Sequence, residues 1–157
     1  MAPAQPMSGI SRCSYSLACR SSFDQLQQVI ASAEEARDGW SRNSSTEERA
    51  APLRRVGDLH EERRDKLASM IVREIGKPID QALGEVDYAA DTDRYYADNA
   101  LECLKDETIT LLSGGGSAFM RFTSLGVLIG VIPWNFPCYQ VARFVGLNLM
   151  TGNTMRT

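Results

Sequence analysis

The residues with the types and spacing to do chemistry stand together near the carboxyl end. Pro133-Trp134-Asn135-Phe136-Pro137 interrupts an apolar run, and Arg143 follows eight positions after Asn135. Two prolines in five residues enforce a turn, and an asparagine within a turn often bonds its own backbone, so by residue type alone Asn135 reads as a turn residue. Arg143 is the one charge between Cys138 and Met150, in a stretch that is otherwise apolar. Such a charge needs a partner, and a helix C-terminus or a carboxylate elsewhere in the fold would satisfy it structurally. Cys138 invites assignment as a nucleophile, yet nothing near it in sequence would activate a thiol, and it reads as a small core residue. His60 is the single histidine, with no second ligand at helical spacing, which argues against a metal site. Gly114-Gly115-Gly116 could suggest a phosphate loop, but such loops join a strand to a helix N-terminus, whereas this one lies between two strand-like segments.

The elements that must position these groups follow from hydrophobic spacing. Phe23, Leu26, Ile30, Ala33 and Ala36 fall at three- and four-residue steps, which predicts an amphipathic helix over 23–40 with Ser22 as N-cap. Leu53, Val56, Leu59, Leu67, Met70, Ile71 and Ile75 repeat the pattern over 46–76. The polar stretch 61–64 divides this into two helices, the first of which should begin near Pro52 or bend there. Gly76 and Pro78 then stop one helix and start the next, a long one carrying Leu83, Val86, Ala90, Ala97, Leu101 and Leu104. From Glu107 the pattern turns strand-like: 108–112 and 119–123 make a β-hairpin across the glycines.

Gly126 to Ile132 is apolar without alternation, as in a strand of a parallel sheet buried on both faces. A turn and a helix over 138–150 follow, and 151–154 ends that helix. Strand, turn and helix make the first half of a βαβ unit, and such units bind ligands just past the strand's carboxyl end, at the turn. The second parallel strand is expected beyond the last residues. The fold class is thus α/β: a disordered leader at 1–22, amino-terminal helices at 23–106, a hairpin at 107–125, and at 126–157 the start of a doubly wound, Rossmann-like domain.

Composition narrows the function. The chain has 157 residues, 43% hydrophobic and 24% charged, with net charge −3, so nothing draws it to nucleic acid or an anionic membrane. Arg54-Arg55 and Arg63-Arg64 do not form a basic patch, because seven basic residues over 46–75 face seven acidic ones. Cys13, Cys19, Cys103 and Cys138 lack disulfide or metal spacing and are read as reduced thiols. The longest apolar stretch, 125–139, is too short and too proline-rich to span a bilayer. A cytoplasmic protein is expected. Tyr88, Tyr95 and Tyr96 along the long helix are expected to pack or to form an interface.

Val131-Ile132-Pro133-Trp134-Asn135-Phe136-Pro137 followed by Gly152-Asn153-Thr154 resembles the turn and next-strand start of aldehyde dehydrogenases. Glu48-Arg49-Ala50 with Leu53, Gly76-Lys77-Pro78 and Glu85-Val86 stand in the order of that family's amino-terminal helices, so the likeness spans about 24–154. Phe136-Pro137 followed by Gln140-Val141-Ala142-Arg143 is most similar to the succinate-semialdehyde dehydrogenase branch. The resemblance implies an enzyme in which a cysteine thiolate attacks an aldehyde, hydride passes to NAD or NADP, and a glutamate-activated water releases the acid. It implies that Asn135 donates its amide to the oxyanion, that Ile132, Pro133, Trp134 and Asn135 line the cofactor's path, and that Arg143 clamps the substrate's distal carboxylate. It also implies a homo-oligomeric parent enzyme. The family's catalytic cysteine, glutamate and adenosine-ribose lysine are expected downstream of Thr157, which would make the chain an amino-terminal fragment without activity of its own. A non-catalytic helical interaction module is the alternative reading of the same pattern.

Overall fold

The computed structural model describes residues 23–156; the expected leader, the Ser22 cap, Cys13 and Cys19 lie outside the described residues. Helix α1 (Phe23–Arg37) runs into a π-helical turn at Asp38–Arg42. Helices α2 (Thr46–Glu62) and α3 (Arg64–Ile75) are separated at Arg63, within the polar stretch that the sequence marks as the divide. Gly76 ends α3 in the left-handed region, at φ 70°, and α4 (Ile79–Cys103) starts directly after Pro78. The hairpin pairs β1 (Glu107–Ile109) with β2 (Ala118–Met120) in antiparallel register, Thr108 opposite Phe119. Gly114 and Gly116, both at positive φ, therefore sit in a strand-to-strand connection and not in a phosphate loop.

Two expectations need correcting. Of the start or bend expected at Pro52, the start is ruled out: helix α2 begins at Thr46 and runs through the proline. Ser45 and Glu48 form a capping box, each accepting the other's backbone N–H at 3.2 and 2.7 Å, and this sets the start. Pro52 forgoes a bond to the Glu48 carbonyl, but the proline is exposed, so water can take that acceptor. The second parallel strand, which spacing puts beyond the last residues and the family resemblance starts at Gly152-Asn153-Thr154, is present where the resemblance puts it: β4 (Thr154–Arg156) follows helix α5 (Pro137–Met150) and pairs in parallel with β3 (Val127–Ile129). The βαβ unit is therefore closed within the described residues.

Helix α4 is the axis of the helical part, packing against α2, α3 and α5. Its buried face is mostly alanine, which lets neighbouring helices approach closely. One core cluster joins Ala50 and Leu53 of α2, Ala97 and Ala100 of α4 and Met150 of α5; another joins Ala68 and Ile71 of α3 to Ala82 and Val86 of α4. Asn153 ties the βαβ unit together, its Oδ1 accepting the N–H groups of Leu125 (2.6 Å) and Gly126 (3.0 Å) at the entry to β3. Thr154 Oγ1 donates to the Ala33 carbonyl of α1 at 2.9 Å. The Gly152-Asn153-Thr154 motif thus acts here as a structural knot. Among the described residues no helix is long and apolar enough to cross a membrane.

Candidate functional site

The turn after β3 is the point to which the parallel strands and α5 all lead. Ile132 is half-buried, while Pro133, Trp134 and Asn135 are exposed, Trp134 at 74%. The Asn135 side chain makes no hydrogen bond among the described residues, so its amide is not consumed by its own turn. Helix α5 starts at Pro137, whose missing N–H costs nothing at a first helical position, but the N-cap residue Phe136 has no side-chain acceptor.

That acceptor comes from α4. Glu85, 4% exposed, receives the N–H groups of Cys138 (2.9 Å) and Tyr139 (3.3 Å) on Oε1. Its Oε2 accepts a hydrogen bond from Lys77, which is also deeply buried and whose Nζ lies 3.6 Å from the Phe136 ring centroid. In the sequence Lys77 and Glu85 stand out only by their order along the chain. The signal for their role is an apolar N-cap ahead of an apolar helix, which obliges some other element to supply an acceptor. Because the N–H groups at the start of α5 are taken by this carboxylate, they do not form an anion site for a dinucleotide's phosphates. Ile132, Pro133 and Trp134 leave an apolar surface at the turn and contribute no phosphate-holding group there.

Cys138 lies beside the same pair, half-buried. Burial, and secondarily the charge of Glu85, push its thiol up to about 11, against a smaller opposing effect of Lys77. It is therefore held as a thiol, in keeping with a core role.

At the other end of α5, Arg49 Nε donates to the Met150 carbonyl at 3.1 Å and Trp40 Nε1 to that of Leu149 at 3.3 Å. Charges of the sign that complements the helix dipole, both from other helices, thus hold the two ends of α5.

Arg143 points away from this frame, exposed, into a cleft of about 450 Å³ between α4 and α5. Tyr88, Tyr95, Tyr96 and Tyr139 line it, together with Asp91 and Thr92. Tyr88 and Tyr139 face one another at 4.8 Å between centroids, and Tyr95 meets Tyr96 edge-on at 5.8 Å. Tyr96 packs on the core as expected, whereas Tyr88 and Tyr95 are more than half exposed and present their rings to the cleft. Arg143 forms no ion pair with any described carboxylate. Asn135 is not among the residues lining this cleft. Among the described residues no cluster could hold a metal ion, and His60 faces Asp93 of α4 at 3.1 Å.

Comparison with known proteins agrees with this geometry. The aldehyde dehydrogenase family model matches residues 5–156. The succinate-semialdehyde dehydrogenase (NADP(+)) of Deinococcus radiodurans is 41% identical over 131 residues, covering 83% of this chain and 27% of that protein. The corresponding Mycobacterium ulcerans protein is 39% identical over 133 residues, covering 84% and 29%. Among solved structures, the succinic semialdehyde dehydrogenase of Streptococcus pyogenes in complex with NADP+ superposes with a TM-score of 0.80 at 36% identity, over 85% of this chain and 29% of that one. The chain belongs to the aldehyde dehydrogenase family. It spans a little over a quarter of the length of the relatives it matches.

Proposed function

We propose that this chain is the amino-terminal part of an NADP-dependent oxidoreductase that converts an aldehyde bearing a second, acidic group, succinate semialdehyde first among candidates, to the carboxylic acid. The observation that carries this reading is Arg143: an exposed guanidinium without an ionic partner, in a cleft walled by tyrosines, about two helical turns along α5 from the turn that presents a free asparagine amide. A planar, bidentate donor suits a carboxylate, and phenol hydroxyls around it supply further donors. Arg143 holds the distal acid while Asn135 donates to the oxygen of the carbonyl under attack. That donor acts mainly in the transition state, because its bond strengthens as the oxygen becomes an oxyanion. Ile132, Pro133 and Trp134 form an apolar wall of the cofactor's path, and NADP, when bound, takes up the hydride. NADP is preferred to NAD on the strength of the relatives' names. A homo-oligomeric parent and a cytoplasmic location belong to the same reading.

The test is a chimera of the Deinococcus radiodurans relative that carries residues 23–156 of this chain. Arg143→Ala should raise KM for succinate semialdehyde by about 100-fold, the loss of one charge-assisted clamp, and change KM for butanal by less than about threefold. Equal losses for both aldehydes would show that Arg143 does not read the carboxylate.

A further inference from the structure

We propose that Glu85, backed by Lys77, is the positioning residue for Asn135, acting from α4 across the start of α5. The inference rests on the reading of Asn135 as the oxyanion donor. The Asn135 side chain has no hydrogen bond of its own, so only the backbone on either side aims its amide. On its carboxyl side the polar attachments run to Lys77 and Glu85, beside the packing of Cys138 on the α3–α4 core and of Tyr139 on Tyr88. Phe136, the next residue, lies under the Lys77 ammonium, and Cys138 and Tyr139 bond to Glu85. Pro137 has no N–H, and the Gln140 N–H is used within the helix by the Phe136 carbonyl at 3.0 Å. The Glu85 carboxylate is therefore the acceptor that fixes the first turn of α5. It is buried on a 25-residue helix that packs against α2, α3 and α5, a far stiffer mount than the turn itself.

Lys77 has a second task. An unpaired buried carboxylate behind the turn would oppose a negative charge forming in front of it, and the ammonium bonded to Glu85 cancels that field. The pair thus offers a capping acceptor without leaving net charge behind the oxyanion. A donor works only within about 0.5 Å and 10–20° of its productive geometry, so loosening the mount should show in kcat more than in binding.

Two measurements test this. In the 157-residue chain, hydrogen exchange of the Cys138 and Tyr139 amides should accelerate at least about tenfold in Glu85→Ala and less in Glu85→Gln, which keeps one oxygen in place, while amides in the middle of α2 and α4 keep their protection. Unchanged exchange at Cys138 and Tyr139 in Glu85→Ala would overturn the capping role, and loss of protection throughout that variant would leave Glu85→Gln to decide by the same two amides. In the chimera, the double variant Glu85→Gln/Lys77→Met, which leaves the site as neutral as the ion pair did, should lower kcat by about tenfold with KM for the aldehyde within about twofold, and this loss should vanish when Asn135 is already alanine, as for residues acting through one group. If the double variant costs the same with and without Asn135, the pair does not act through it. If instead Asn135→Ala leaves kcat unchanged, the oxyanion reading itself fails, and accelerated exchange would still establish Glu85 as the cap of α5.

Discussion

Replacing Gly146 by alanine sets two known magnitudes against one another. Alanine in mid-helix is worth about 1 kcal/mol over glycine, so on propensity alone α5 would gain. Yet a methyl group at Gly146 would lie 2.6 Å from Tyr96 Cδ2 and 3.3 Å from its Cγ, where carbon atoms rest at about 3.5–4.0 Å. The ring would have to retreat by about 1 Å, and it packs against the cluster of Ala50, Leu53, Ala97 and Met150. Overpacking of this kind costs about 1–3 kcal/mol, so the net expectation is a loss of about 1 kcal/mol. With a urea dependence of about 2 kcal/mol per molar, the unfolding midpoint of the 157-residue chain, followed by far-UV circular dichroism at low concentration, should fall by about 0.5 M. With Tyr96→Ala already in place the clash is gone, propensity prevails, and the same glycine replacement should raise the midpoint. A higher midpoint with Tyr96 present, or the same shift in both backgrounds, would refute the claim that this contact limits the approach of α5 to α4.

In the chimera, Asn135→Ala should lower kcat by about 10²–10³-fold with NADP affinity little changed, as for loss of one oxyanion donor; a normal kcat would remove Asn135 from the chemistry. Because the Cys138 thiol is pushed up to about 11, only about one part in 10³ is thiolate at pH 8, so alkylation there should lag far behind that of exposed Cys103 and speed up as pH rises toward 11. Peptide mapping of iodoacetamide-treated chain tests this, and equal labelling of the two would contradict it. The 157-residue chain alone should show no aldehyde oxidation, since Cys138 beside the turn is not a thiolate, and it should bind a hydrophobic dye strongly through Leu125, Ile129, Val131 and Trp134, all more than 60% exposed. Turnover above background would overturn the first expectation, and absence of dye binding the second.

The helices were legible because each carries its own periodicity: the break between α2 and α3, the Gly76 stop and the long α4 all follow from local spacing. Where local signals compete, spacing alone does not decide which prevails. The Ser45–Glu48 capping box outweighs the proline at residue 52, because a cap satisfies two backbone donors and an exposed proline forfeits one bond. At Thr154, three residues suffice for a strand when a parallel neighbour receives them, which hydrophobic spacing does not show although the Gly152-Asn153-Thr154 motif does. The turn was legible as a site because strand, proline-rich turn and apolar helix occur in order. Its support was not, because Glu85 and Arg49 reach α5 from other helices and Lys77 from the α3–α4 connection, and the cleft around Arg143 needs Tyr88 and Tyr139 from two helices to form.

The way α5 is finished at both ends has a kinetic consequence. Glu85 meets Cys138 across 53 residues of chain, and Arg49 meets Met150 across 101. Loops of that length must close before either cap contributes anything, and a helix of 14 residues gains little on its own in water. Helices α2, α3 and α4 follow one another in the chain and close shorter loops, 44 residues at Arg54–Asp98, so they should assemble first and present Arg49, Lys77 and Glu85 as a finished berth, with α5 arriving last. During synthesis from the amino terminus this order is natural, since the berth is complete some thirty residues before the apolar helix emerges. A mutation that slows the packing of α2 on α4 would then act far from itself, by prolonging the time that β3 and α5 spend bare.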